Sequence, residues 1–320
     1  MEIKNTISFL MLILSLPFIT ACSDDDDDSI FRYEPTSSLI AESHVSWVTP
    51  NSVVIKAGLN SCILLSSEKS HLENIENAYT IAYGNESYAV VYSDYFDNDH
   101  KGTLFYGLKP NTTYYYVVLR YDSIRKYYYY GNICSFTTDE PITEIVDLGL
   151  SVKWRGWNLD AKNPYDRGYG YMWGYTSPGY IKNPIYPNES NITGTEYDAA
   201  NFQLGSNWRM PTIAECEELK SKCTFQKVTC YDEENQVARD GIYITGPSGK
   251  HLFIPSTWTL SVNDHYELDY FNTCCFWIGE SGVSEKYRYY FSGYYDYNDS
   301  YGKIQVCNRN WALPIRAVTE

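Results

Sequence analysis

Between His44 and Thr138, apolar and polar residues alternate over short runs that Pro, Asn and Gly interrupt. Val53, Ile55, Ala57 and Leu59 interleave with Val54, Lys56, Gly58 and Asn60, which predicts a strand with one buried face. The same period of two recurs over 79–83, 88–92, 103–106 and 114–121, and a helical period is hinted at only over 67–75. Short strands spaced in this way predict a β-sandwich. Beyond residue 145 the pattern changes. Thr212 with Glu215 three residues on is a capping box, and Ile213, Cys216, Leu219 and Cys223 then share one face of a helix. Runs 241–245 and 251–254 flank the turn Gly246-Pro247-Ser248-Gly249 as a hairpin, and 276–279, 288–291 and 315–318 read as further strands. The expected fold class is mainly β: a sandwich, then an α+β domain with one main helix.

The N-terminus carries a different signal. Lys4 precedes an uncharged stretch over 5–21. Its apolar centre, 7–16, suits a signal-peptide core and falls short of the roughly 20 residues that a bilayer span needs. Ile19-Thr20-Ala21-Cys22 closes the stretch and resembles the lipobox of bacterial lipoproteins. That resemblance implies a lipoprotein signal peptide over 1–21 and a diacylglyceryl group on the Cys22 thiol. Ser23 and the consecutive aspartates Asp24 to Asp28 follow. Like charges this dense repel one another and bury nothing, so 22–40 reads as a lipidated Cys and acidic linker. An acidic run directly after the lipidated Cys resembles the export signal of surface lipoproteins in Bacteroidota-type bacteria. It implies an outer-membrane protein, held by its lipid anchor and facing the cell exterior. Asp28-Ser29-Ile30 and Asp122-Ser123-Ile124 resemble the O-glycosylation acceptor of the same bacteria, with Ser29 and Ser123 as acceptors.

Two domain resemblances follow. Leu108, Pro110, Thr112, Tyr114, Tyr116 and Val118, each two apart, resemble the corner between the fifth and sixth strands of fibronectin type III domains, with Tyr114 as the corner tyrosine. Cys134-Ser135-Phe136-Thr137-Thr138 resembles the last strand of bacterial versions, which implies a fibronectin type III-like domain over 41–140. Val146-Asp147-Leu148-Gly149-Leu150-Ser151-Val152-Lys153-Trp154, Gly170-Tyr171-Met172-Trp173-Gly174, Asp198-Ala199-Ala200, Trp208-Arg209-Met210-Pro211-Thr212 and Ile315-Arg316-Ala317-Val318 occur in that order. Together they resemble the major paralogous domain first described from Fibrobacter succinogenes, over 145–320. The resemblance implies an α+β fold related to C-type lectin-like domains, common in surface lipoproteins, and leaves the ligand open. Trp157 stands where that family often has Cys, and Tyr169 and Tyr175 replace frequent acidic residues.

Composition narrows the function. With 25 basic against 40 acidic residues and a net charge of −15, the chain has no basic surface for a phosphate backbone, so nucleic acid is excluded as a partner. Of 9 cysteines, Cys22 apart, an exported chain can pair the rest. Cys62 and Cys134 can pair with each other, whereas Cys216 and Cys223 sit too far along one helix face to bridge. Zinc needs Cys-x-x-Cys pairs that are absent, and the loop from Asp97 to Gly102 departs from a calcium loop at Lys101 and reads as a hairpin turn. His44, His71, His100, His251 and His265 fall in no nucleophile or metal motif. The expectation is no metal, no cofactor, no catalytic residue and no enzyme.

What remains is tyrosine, 33 of them. Tyr289, Tyr290, Tyr294, Tyr295 and Tyr297 stand with Asp296 and Asn298, a mixture that can stack on sugar rings and bond their hydroxyls. The same residues also suit a Tyr-rich strand pair around a turn, with Trp157, Tyr169 and Tyr175 as the next place to look for a site. The functional expectation is a non-catalytic adhesin, a glycan- or protein-binding module at the cell surface. A structural or assembly subunit of a surface appendage is the alternative, and a glycan-directed hydrolase the third.

Overall fold

The computed structural model describes residues 30–33, 42–58, 61–83, 91–93, 102–262, 268–295 and 300–320. Cys22, the aspartate run, Ser29, the loop before Gly102, His265, Asp296, Tyr297 and Asn298 lie outside the described residues. The fold is mainly β, divided among several small sheets.

The first half contains β1 (Phe31–Tyr33), β2 (His44–Val48), β3 (Ser52–Lys56), β4 (Ser61–Ser66), β5 (Val91–Ser93), β6 (Thr103–Tyr106), β7 (Thr113–Asp122), β8 (Tyr127–Tyr130) and β9 (Cys134–Thr137). One sheet runs β2-β3-β6, and the other runs β1-β8-β7-β4-β5 with β9 also on β7. The two sheets enclose Val53, Ile55, Ile63, Leu65, Phe105, Tyr116 and Val118. A second cluster on the far face of the larger sheet packs under helix α1 (Ile75–Tyr83).

That helix corrects the expected strand over 79–83. Asn74 caps it, its backbone carbonyl accepting from the Ala78 N–H at 2.9 Å and its side-chain oxygen from the Asn77 N–H at 3.0 Å. Ile75, Ala78, Tyr79 and Ala82 recur at helical spacing and pack with Phe31, Leu64 and Val117. Tyrosine's strand preference concealed that period.

The expectation of one buried face on β3 also fails. Val53 and Ile55 point into the sandwich, but Val54 is fully buried as well, in a cluster with Val228, Cys230 and Ile254 of the second half. Trp47 joins it. Ser52 Oγ donates to the Thr229 carbonyl at 2.6 Å, Asn51 Nδ2 to the Tyr231 carbonyl at 2.6 Å, and Tyr106 stacks on Tyr231 at 5.1 Å. The outer face of the smaller sheet is therefore a joint and not a solvated surface. His251 lies at this joint, stacked 4.8 Å from Tyr243, whose hydroxyl donates to Asp139 at 2.9 Å. Burial holds the His251 imidazolium below its ordinary value, and Asp139 and Glu140 only partly offset it.

The second half adds β10 (Ile145–Val146), β11 (Lys153–Arg155), β12 (Tyr171–Met172), β13 (Thr224–Asp232), β14 (Val237–Thr245), β15 (His251–Pro255), β16 (Thr257–Val262), β17 (Leu268–Thr273), β18 (Cys275–Ser284), β19 (Tyr287–Tyr295), β20 (Ser300–Asn308), β21 (Ala312–Leu313) and β22 (Val318–Thr319). Its sheets run β10-β11-β22, β12-β21-β16-β17, β13-β14-β15 and β18-β19-β20. The first brings the beginning and end of this half together. Of the run expected as a strand over 315–318, only Val318 lies in one. Residues 315–317 lie outside any strand, the Ala317 carbonyl accepting the Arg155 N–H at the end of β11 and the Ile315 carbonyl the Leu159 N–H of a loop, each at 2.8 Å.

Two helices, α2 (Ala199–Leu204) and α3 (Ile213–Lys222), complete it. At α3 the capping box forms as the sequence predicts: Glu215 N–H donates to Thr212 Oγ1, and Thr212 N–H to Glu215 Oε2. Cys216 and Leu219 are buried, with Ile213 and Cys223 packed beside them. Burial raises the Glu215 carboxyl, but bonds from Arg209 and Thr212 outweigh it, and the net shift is downward.

No disulfide joins any of the eight cysteines among the described residues. Cys62 belongs to the cluster under α1 and Cys134 to the sandwich interior, on opposite faces of one sheet, so these two do not pair. Burial pushes the Cys230 and Cys275 thiols up to about 12, which leaves them protonated and unreactive. Among the described residues no helix is long and apolar enough to cross a membrane.

Candidate functional site

The tyrosine-rich strand is built into the interior. β19 is the middle strand of its sheet, and β18 beside it alternates Phe276 and Ile278 into one core with Cys275 and Trp277 into another. Tyr289 is half-buried against the first core, with Tyr301 and Ile304. Tyr290 is half-buried against the second and donates its hydroxyl to Gln305 Oε1 at 2.5 Å. The strand's period of two thus sends these two tyrosines to opposite faces, each already occupied by a core. Tyr294 and Tyr295 end β19, in register with Tyr301 and Ser300. Ser123 lies exposed in the turn between β7 and β8, where Asp122 Oδ1 accepts from the Ile124 and Arg125 N–H groups at 2.9 Å.

An open depression of about 300 Å³ lies elsewhere, lined by Arg167, Gly168, Tyr169, Gly170, Thr257 and Pro314. Its framework begins with Arg316, which is fully buried. The Arg316 guanidinium donates to the carbonyls of Arg155, Gly156 and Phe253 and, through Nε at 3.0 Å, to Asn158 Oδ1. Asn158 in turn donates to the Arg167 carbonyl at 2.9 Å. Burial first, and Arg155 second, push the Arg316 guanidinium down to about 9, so it stays protonated at neutral pH. One buried cation thus fixes the chain segment that forms the cleft wall.

Glycine shapes the floor. Gly168 has φ +66°, and a Cβ there would collide with the Leu159 carbonyl. A Cβ on Gly170 would run into the backbone of Ala312, the β21 residue that pairs with Met172. Between these glycines Tyr169 is held outward and is 63% exposed. Tyr171, directly after, turns inward. It is fully buried, receives Gln203 Nε2 at 2.8 Å and donates to Asp160. An exposed ring beside a guanidinium, a hydroxyl and a proline can stack on a sugar face while bonding its hydroxyl edge.

Of this site the sequence singled out Tyr169. Arg167, Thr257 and Pro314 went unremarked, and the signal that could have found them is the run Arg167-Gly168-Tyr169-Gly170, an aromatic between two residues without a Cβ. Trp157, half-buried under the Arg155 guanidinium at 5.6 Å, and Tyr175, whose hydroxyl donates to the Ile185 carbonyl at 2.6 Å, lie outside the cleft lining. Among the described residues no group of three or more His, Cys, Asp and Glu is placed to hold a metal. No family model matches the chain, and no curated protein matches it.

Proposed function

We propose that this protein is a surface lipoprotein of the outer membrane, anchored through Cys22, that binds glycan without catalysis through its C-terminal half. The observation that carries the binding reading is Tyr169, exposed over a glycine-floored cleft that Arg167 and Thr257 also line. The fibronectin type III-like reading of 41–140 is supported by the β2-β3-β6 sheet facing β5-β4-β7-β9, and by Tyr114, whose hydroxyl accepts the Lys109 N–H at 2.9 Å. The lectin-like reading of 145–320 is supported by the β10-β11-β22 sheet that ties its two ends and by one main helix.

A glycan array probed with the purified protein and its Tyr169→Ala variant tests the binding reading. The wild type is expected to retain a discrete set of saccharides, and the variant to lose them at least tenfold with its melting temperature unchanged. Equal retention by both proteins, or none by the wild type, overturns it. Anchoring is tested separately: Cys22→Ser is expected to move the protein from the membrane to the soluble fraction, because the acyl chains supply most of the bilayer affinity. An assembly subunit is the second reading, favoured by Ile124 at 90%, Ile185 at 89% and Phe202 at 67% exposure.

A further inference from the structure

β19 and the turn after β20 each carry an arginine that stacks on an aromatic ring of the segment before α2. Arg288, on β19, is 4% exposed, and its Cζ lies 4.3 Å from the centre of the Trp173 ring. Its Nη1 is held by the carbonyls of Ser284, Glu285 and Tyr287, while its Nε is buried with no hydrogen-bond partner. Arg309 stacks its guanidinium 3.8 Å from the centre of the Tyr186 ring. Neither arginine makes an ion pair with a carboxylate among the described residues. Buried or half-buried cations are normally paired, and this protein has 40 acidic residues with which to pair them.

We infer that the Arg288 and Arg309 cluster, with Tyr186 and Asn310, is a second binding site, one that takes the carboxylate or sulfate group of an acidic saccharide. Stacking on Tyr186 fixes the face of the Arg309 guanidinium and leaves its N–H edge free, and that edge matches a flat oxyanion in two parallel bonds. Tyr186 donates its hydroxyl to Asn310 Oδ1, which directs the Asn310 Nδ2 donor away from the ring. The Arg309 N–H edge and the Asn310 amide nitrogen are thus donors, and their complement is a group that accepts. Tyr175 meets Tyr186 edge to face at 5.9 Å and lengthens the aromatic wall against which a sugar ring can lie.

The charges around the cluster are consistent with that assignment. Burial lowers the Arg288 guanidinium and Arg309 lowers it further, with Tyr186 and Glu285 acting against them. The Lys286 carbonyl accepts the Arg309 backbone N–H at 3.0 Å, and its ammonium stands 5.9 Å from the Tyr287 ring. An oxyanion offsets this uncompensated charge.

The saccharide half of the proposal rests on the glycan-binding reading, whereas the anion half rests on these residues alone. Calorimetric titration of the wild type, Arg309→Gln, Asn310→Ala and Tyr169→Ala separates the two. The probes are trigalacturonate, a sulfated disaccharide, a neutral trisaccharide and inorganic phosphate. The wild type is expected to bind at least one acidic saccharide ten times more tightly than the neutral one, and less tightly as salt rises. Arg309→Gln is expected to lose that preference at least tenfold and Asn310→Ala several-fold, both with unchanged melting temperature, while Tyr169→Ala keeps it. Loss in Tyr169→Ala alone, equal affinity in Arg309→Gln, phosphate bound as tightly as the saccharides, or no acidic saccharide bound by the wild type overturns the proposal.

Discussion

Two tyrosine-rich strands, β8 and β19, look alike in sequence and differ in what covers them. On β8, Tyr128 and Tyr130 turn under α1, where Tyr128 stacks on Phe31 at 5.4 Å and shares a 2.9 Å hydroxyl bond with Tyr79. Their neighbours Tyr127 and Tyr129 belong to no core cluster. They meet each other edge to face at 5.0 Å under Arg32 and Arg125, with Arg32 4.7 Å from the Tyr127 ring. On β19 both sets of positions have a core to join, and Tyr289 and Tyr290 are drawn in on opposite sides. Alternation separates inward from outward only when one side of a sheet is open, and β19 has no such side at these positions.

Four measurements sharpen or break that contrast. The largest effect is expected at Phe291, fully buried between Phe276 at 4.9 Å and Phe225 at 6.2 Å. Phe291→Ala should cost about 3–5 kcal/mol in a denaturant melt, the usual loss for a buried aromatic. A loss under about 1 kcal/mol would show that the sheet is not enclosed.

On β8 the contrast lies between neighbours. Tyr128→Ala should cost about 2 kcal/mol and Tyr127→Ala about 0.5 kcal/mol, since Tyr128 leaves a packed cluster and Tyr127 a ring pair outside any cluster. Equal losses would erase the distinction between the faces. Tyr290→Phe, which keeps the ring and removes the 2.5 Å bond to Gln305, should cost about 1 kcal/mol. No change would show that the bond adds nothing to stability.

The smallest effect is at the joint. His251 has a folded pKa below its ordinary value, so the folded state binds fewer protons than the unfolded state near that value. Its contribution is complete above about pH 6.5 and is lost as pH falls through the folded value. His251→Phe should flatten that part of the stability profile between about pH 7 and 5, and an unchanged slope would assign the titration to another group.

Local elements were legible where one short stretch contains the whole instruction. Thr212 and Glu215 cap α3 because the bonds span a single turn, and 241–245 with 251–254 pair because the turn between them sets the register. Over 75–83 the helical period was present in Ile75, Ala78, Tyr79 and Ala82, but a second tyrosine at 83 gave it the look of a strand. The cleft was half legible: Tyr169 stood out by type, whereas Thr257 and Pro314 reach it from distant segments.

By itself, then, the sequence determined the mainly β character, the helix at 213–222 and which residues alternate along each strand, since these depend on period and on neighbours a few positions apart. Only the tertiary structure decided which faces meet solvent. Val54 is buried because another half of the chain lies on it, Tyr290 is half-buried because a second core lies behind its sheet, and Cys62 stays apart from Cys134 because a sheet stands between them. Burial is a property of what arrives from far along the chain, and no period of two or of 3.6 records it.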